Sequence, residues 1–201
     1  MKKILVFVVL PIIIAVLGYL IYKSVQEPVV FERQRKIRET VCIERLKDIR
    51  TLQVAYKSKY SKFSGDLDSL IDFYNNGQIT IIRQIGSMDD SAAVAEKRVY
   101  RDSISIPVKD TLLKKRGFIV DSIAYIPFSG GKKMNMTALM AKVSGVEIPL
   151  FEASAPFDYL LEGLERQLIV NLNADRELVG RYPGLRVGSV DAPNNNAGNW
   201  E

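Results

Sequence analysis

Residues Ile4–Tyr22 (ILVFVVLPIIIAVLGYLIY) carry no charge, and all but Pro11 and Gly18 are apolar. As an α-helix the run is about 28 Å long, close to the roughly 30 Å hydrocarbon core of a bilayer. It has no polar face, so a soluble domain has no way to cover one side of it and hydrate the other. Pro11 and Gly18 are both tolerated in membrane helices. Tyr19 and Tyr22 stand where an aromatic belt stands, and Lys23 closes the run. Ile4, Leu10, Ile13, Leu17 and Tyr22 mark the expected anchor along this helix.

The Met-Lys-Lys start also suits a cleaved signal peptide. The run is longer than the usual ~7–15 apolar residues and no A-x-A site follows, which favours an uncleaved signal anchor. A strict count of Lys and Arg favours a cytoplasmic distal side, where Lys23, Arg33, Arg35, Lys36 and Arg38 follow. Most of those charges begin well beyond the run and alternate with Glu27, Glu32 and Glu39, whereas two lysines directly precede it. The expectation is a single-pass protein of the cell membrane, with a cytoplasmic N-terminus and an exported (periplasmic) globular part.

The chain of 201 residues carries 28 Lys and Arg against 23 Asp and Glu, a net charge of +5. Residues 1–60 hold 12 of the basic and five of the acidic side chains, so the remainder is slightly acidic. A basic excess confined to the arm beside a bilayer is not the footprint of a nucleic-acid-binding domain, and no nucleic acid partner is expected. The chain has no His, which excludes His-based triads, His metal sites and His proton shuttles. Its one cysteine, Cys42, excludes an internal disulfide framework and a multi-Cys zinc site.

Beyond the anchor, Pro28 can occupy the first turn of a new helix. From Val29 to Lys59 there is no Gly or Pro, and apolar residues recur at Val30, Ile37, Val41, Leu46, Ile49, Leu52 and Tyr56. The spacing predicts a long amphipathic helix, nearly collinear with the anchor. Its first half is expected to be an exposed stalk and its second half to pack on the domain. The basic face of this helix (Arg33, Arg35, Lys36, Arg38, Arg45, Lys47 and Arg50) is either a contact for anionic lipid or an acidic partner, with Arg33, Arg35, Lys36 and Arg38 as the contact candidates, or a solvated face with local Glu–Arg pairs. Ile37, Val41 and Cys42 are candidates for lateral packing between stalks, Cys42 being otherwise a small buried apolar residue.

Tyr56, Tyr60 and Phe63 share one side as the helix ends and are expected in the core, with lysine stems covering them. Ser64-Gly65-Asp66 caps a short helix carrying Leu67, Leu70, Ile71 and Tyr74, which Asn75-Asn76-Gly77 stops. Gln78–Ile85 reads as a strand, Met88–Lys97 as a helix or loop, and Val99–Val108 as extended. Asp110–Lys115 is expected to form a helical turn or two. Phe118–Phe128 and Met134–Val143 flank Ser129–Lys133 and read as a hairpin, with Val146–Ala153 as a third strand. Tyr159–Leu164 reads as a short helix, Gln167–Leu172 as a strand, Asp175–Gly180 as another short helix, and the Tyr182–Ser189 segment as a turn and a strand. The tail from Asn194 is too polar to pack by itself, and Trp200 is either a loose end or an anchor for it.

No motif carries catalytic chemistry. Ser129–Lys133 lacks phosphate-loop spacing and has no helix signal behind it. Lys114–Arg116 is an ordinary surface cluster, Asp89-Asp90 lacks a third oxygen ligand, and the carboxylates are scattered singly. Asn135–Thr137 matches a glycosylation pattern but lies in an expected strand. No cofactor, metal or small-molecule substrate is expected.

A short basic start, an apolar helix, its amphipathic continuation and a small sheet together resemble the layout of type IV pilins and pseudopilins. Leu46–Leu70 (LKDIRTLQVAYKSKYSKFSGDLDSL) is similar to the pseudopilin region where the long helix ends in an aromatic-rich turn and a short helix begins. The chain lacks a Gly-Phe-Thr type processing site and a Glu in the apolar segment, so what the resemblance implies is architecture, over about the first third of the chain. The end, YPGLRVGS followed by NNNAGNW, resembles that of single-pass bacterial membrane proteins of no assigned activity.

The expected organisation is an anchor at 1–23, a helical stalk at 24–60, an α+β domain on a small antiparallel sheet at 61–192, and a polar tail at 193–201. The expected function is non-enzymatic: a structural or assembly component of a bacterial envelope complex, pseudopilin-like, with protein partners and self-association through the stalk. The alternative is a membrane-tethered module that binds a ligand or peptide.

Overall fold

A computed structural model of the chain describes residues 9–85, 100–114, 118–143 and 145–201. Ile4 of the expected anchor, the Met88–Lys97 segment with Asp89 and Asp90, and Lys115 and Arg116 lie outside the described residues. Leu10–Tyr60 is one helix of 51 residues, α1, about 76 Å long. Pro28 lies inside it rather than opening a new helix; its ring removes one N–H from the ladder and crowds the carbonyl four residues back, yet the helix runs on through both flanking turns. Ser61 ends α1 with φ 58° and donates its N–H to Lys57 O at 2.8 Å, closing an orphan carbonyl.

Along α1, Cys42, Leu46, Ile49 and Gln53 are spaced four, three and four residues apart and are all fully buried. They form the seam that docks α1 on the rest of the chain. Gln53 sits where an apolar residue would, and its amide is used at both ends. It accepts from Ser64 N at 2.9 Å and donates to Ser64 O at 2.7 Å, fixing the chain reversal after α1. Asp66 then caps α2 (Leu67–Asn76), accepting from Ser69 N at 2.9 Å, and Gly77 closes it. These are the capped helix and its stop that the residues announce.

Two antiparallel sheets follow. β1 (Gln78–Ile85) pairs with β2 (Tyr100–Pro107) in an isolated ribbon, Ile79 opposite Ile106 and Ile81 opposite Ile104. The single turn α3 (Val108–Thr111) brings the chain back to α2. The main sheet has the order β3 (Asn135–Val143), β4 (Val146–Pro156), β5 (Gly184–Gly188), all antiparallel. Phe151, Ala153 and Ala155 alternate on one face of β4 and are fully buried. Two alanines there leave room for the helix against the sheet, and Phe151 meets Phe63 at a ring distance of 4.7 Å. Pro149 is tolerated because β5 pairs only with Glu152–Pro156, which leaves Pro149 on a locally open edge.

Three expectations give way. Phe118–Phe128 is not a strand: Val120–Ala124 is a 3-10 turn, and only Tyr125 bridges to Lys133. Ser122 donates its N–H and its hydroxyl to Ile119 O, at 3.1 and 2.7 Å, and curls the backbone out of extension. Gln167–Leu172 is not a strand, and Asp175 does not begin a separate helix; both belong to α5 (Arg166–Leu178), which follows the short α4 (Phe157–Leu160). Gln167 donates to Asn171 at 2.9 Å, a helical i,i+4 bond, and Ile169 is buried. The polar tail packs as well, because its backbone completes a sheet edge. Gly188 N donates to Ala197 O, Asn199 N donates to Arg186 O, and the Asn199 side chain bonds Arg186 N and Gly184 O, all within 2.9–3.0 Å. Trp200 packs on the core beside it.

Candidate functional site

The described structure offers a long apolar helix and the surfaces of the body that flank it. Every described residue from Val9 to Val30 is exposed, and among the described residues none buries Leu10, Ile13, Leu17 or Tyr22. This helix is long and apolar enough to cross a membrane. The body begins earlier along α1 than a half-exposed stalk implies, since Phe31 is already buried.

The basic face of α1 is largely used by the molecule itself. Arg38 donates to the carbonyls of Leu160 and Glu162 at 3.1 and 2.8 Å, and its guanidinium lies 5.1 Å from the Phe128 ring. Arg45 donates to Tyr125 O at 2.6 Å. Arg50 reaches Asn196 O at 3.4 Å and the Glu201 carboxylate at 2.7 Å. Three arginines thus latch α1 to three separate loops of the body, through charge-assisted bonds. The Arg50 bond holds the Glu201 carboxyl below the usual carboxylate range. Arg35 is held between Glu32 and Glu39, at 2.7 and 3.1 Å. Of the four side chains read as lipid or acidic-partner contacts, Arg35 and Arg38 are therefore engaged within the chain. Arg33 and Lys36 face solvent.

The lateral-packing candidates divide in the same way. Ile37 and Val41 are exposed, and Val30 continues their line at seven residues' distance. Cys42 is fully buried in the seam and offers no surface to a second chain in this fold. Burial pushes its thiol up to about 12 from an ordinary value near 9. The folded chain is therefore expected to resist alkylation by a maleimide at neutral pH and to react once denaturant unfolds it, read by mass. The sign of the linkage follows: an unfolded chain ionises Cys42 above about pH 9 while the folded chain does not, so stability falls as pH rises from 9 toward 12.

Where α1 leaves its apolar run, the turn Gly163–Glu165 between α4 and α5 comes alongside it. The two enclose a groove of about 390 Å³ lined by Tyr19, Tyr22, Gln26, Val30 and Phe31 on the helix and Leu164 on the turn. Lys23 lies at this groove and pairs with Glu27 at 3.2 Å. Glu165 on the turn lines the same groove. Elsewhere apolar side chains stand exposed on the sheets: Ile81 and Ile104 on the β1–β2 ribbon, and Leu139, Met140, Val143 and Val146 at the β3–β4 tip. Sequence reading missed both features. The groove joins residues more than 130 positions apart, and the hairpin tip reads like any other apolar strand. Among the described residues, no three His, Cys, Asp or Glu side chains cluster to hold a metal ion. No protein-family model matches this chain, and no curated protein or solved structure shows significant similarity to it.

Proposed function

We propose that this chain is a single-pass, membrane-anchored, non-enzymatic structural or assembly component of an envelope complex, its domain on the exported side and its architecture pseudopilin-like. The observation that carries the reading is the uncovered apolar half of α1, which continues without a break into the seam of the domain. Exposed apolar helix of this length has a large free-energy cost in water and none in hydrocarbon. The arginine latches support a second element of the reading: α1 and body move as one piece, so a partner held by the domain is held at a set height above the bilayer. The exposed Val30, Ile37 and Val41 line is the surface for lateral self-association, and the exposed apolar side chains of the β1–β2 ribbon and of the β3–β4 tip are the surface for a different protein.

The test is cross-linking in intact membranes through Ile37→Cys in a Cys42→Ala background, with protease added outside intact cells and after rupture of the inner membrane. The expected results are a cross-linked dimer or a heteromeric band, and a domain digested without inner-membrane rupture. A strictly monomeric chain that co-purifies with nothing overturns the assembly role. Digestion only after inner-membrane rupture overturns the exported topology.

A further inference from the structure

The groove between α1 and the Gly163–Glu165 turn has its lower wall in the anchor itself. Tyr19 and Tyr22 belong to the apolar run, and Lys23 follows at once. With Ile4–Tyr22 across the hydrocarbon core, Tyr22 and Lys23 lie where acyl chains give way to headgroups. The turn that flanks them is then at the same depth. The interior of the groove is apolar, and its charged groups are Lys23, Glu27 and Glu165. Its volume is within the ~300–1,000 Å³ of ordinary ligand clefts.

We propose that a phospholipid of the surrounding leaflet fills this groove, so that the domain rests on the bilayer through the Gly163–Glu165 turn instead of standing off on a stalk. The inference rests on the membrane-anchored reading above and names the partner of that same segment. The groove supplies the two kinds of surface a phospholipid needs: tyrosine rings for the glycerol and upper acyl region, and paired charges for the headgroup. Both signs are present, Lys23 against Glu27 and Glu165, which matches a zwitterionic headgroup and gives no advantage to a net anionic one. Arg33 does not compete for this role. It stands 11 residues past Tyr22, about 16 Å along the helix, and does not line the groove. Leaflet lipid is also the molecule at highest local concentration at this depth, and a peptide would have to displace it.

The experiment uses the full chain in phosphatidylcholine nanodiscs, with and without bromine atoms in the upper part of the acyl chains. A Trp200→Phe background leaves one reporter in each variant: Leu17→Trp in the anchor, Glu165→Trp on the turn, and Val54→Trp on the far part of α1. The expected result is that the Leu17→Trp and Glu165→Trp variants lose emission in brominated discs while the Val54→Trp variant keeps it. Arg166→Trp, at the first residue of α5 directly after the turn, repeats the measurement with the Glu165 carboxylate intact. If the anchor reporter is quenched and both turn reporters behave like Val54→Trp, the lipid-filled groove is wrong and the anchor stands. If the anchor reporter is not quenched, both readings fall together.

Discussion

Gly188→Ala is expected to destabilise the domain by at least about 3 kcal/mol, far more than Gly130→Ala, although both glycines have positive φ. Gly188 has φ +73° and Gly130 has φ +62°, so an alanine at either position bears the left-handed strain, about 1–2 kcal/mol. The surroundings differ. A Cβ on Gly130 meets nothing within 4 Å, whereas a Cβ on Gly188 overlaps the Phe151 carbonyl oxygen, well inside van der Waals contact. That oxygen belongs to the central strand of the sheet, and Phe151 itself is fully buried against Phe63. Relief of the clash separates β5 from β4 at the Glu152–Gly188 pair and loosens the tail, whose Ala197 carbonyl accepts from Gly188 N. Denaturant unfolding of the detergent-solubilised chain, followed by circular dichroism and by Cys42 alkylation, measures both variants. Equal midpoints for Gly188→Ala and Gly130→Ala refute the assignment of the clash.

The second large effect concerns the anchor. Ile13→Arg with Leu17→Arg places two charges one helical turn apart near the middle of the apolar run. Each Arg at the centre of a membrane helix costs about 2.5–3.5 kcal/mol on insertion scales, so the pair opposes insertion by roughly 5–7 kcal/mol. The variant is expected to leave the membrane pellet and appear in the alkaline-soluble fraction, while wild type stays in the pellet. The domain core lies beyond Phe31 and shares no side chain with the substituted turns, so Cys42 remains protected in the released protein. Ile37→Arg, on the exposed side of α1 outside the run, leaves the wild-type partition unchanged. Retention of the double variant after alkaline extraction contradicts the spanning role of this helix.

Local structure was legible in the residues wherever the signal was self-contained. The Asp66 cap, the Gly77 stop, the β-branched Gln78–Ile85 strand and the β3–β4 hairpin each depend on neighbours within a few positions. Legibility ends where a short apolar run has two solutions. Gln167–Leu172 (QLIVNL) suits a strand by composition and a helix by its i,i+4 contacts, and only the burial of Ile169 against the body decides for the helix. FIVDSIAYIPF has the same ambiguity, decided by Ser122 and by which face Ile123 and Ala124 bury. The candidate site was legible in one half: the apolar run was plain, and its partner turn, more than 130 positions away, was not.

The chain by itself determined that an uncharged apolar helix precedes a small α+β body, and that chemistry based on His or paired Cys is absent. Those conclusions need only composition and spacing. Tertiary structure alone decided how the charges and the tail are used. Arg38, Arg45 and Arg50 look like a solvated or lipid-facing stripe, yet they end on carbonyls 80 to 146 residues away. Asn199 looks like part of a loose end, yet its amide finishes the edge of β5. A guanidinium or a side-chain amide suits water and a buried carbonyl nearly equally well, so its partner is set by which backbone groups the fold leaves unpaired, and that is a property of the assembled chain.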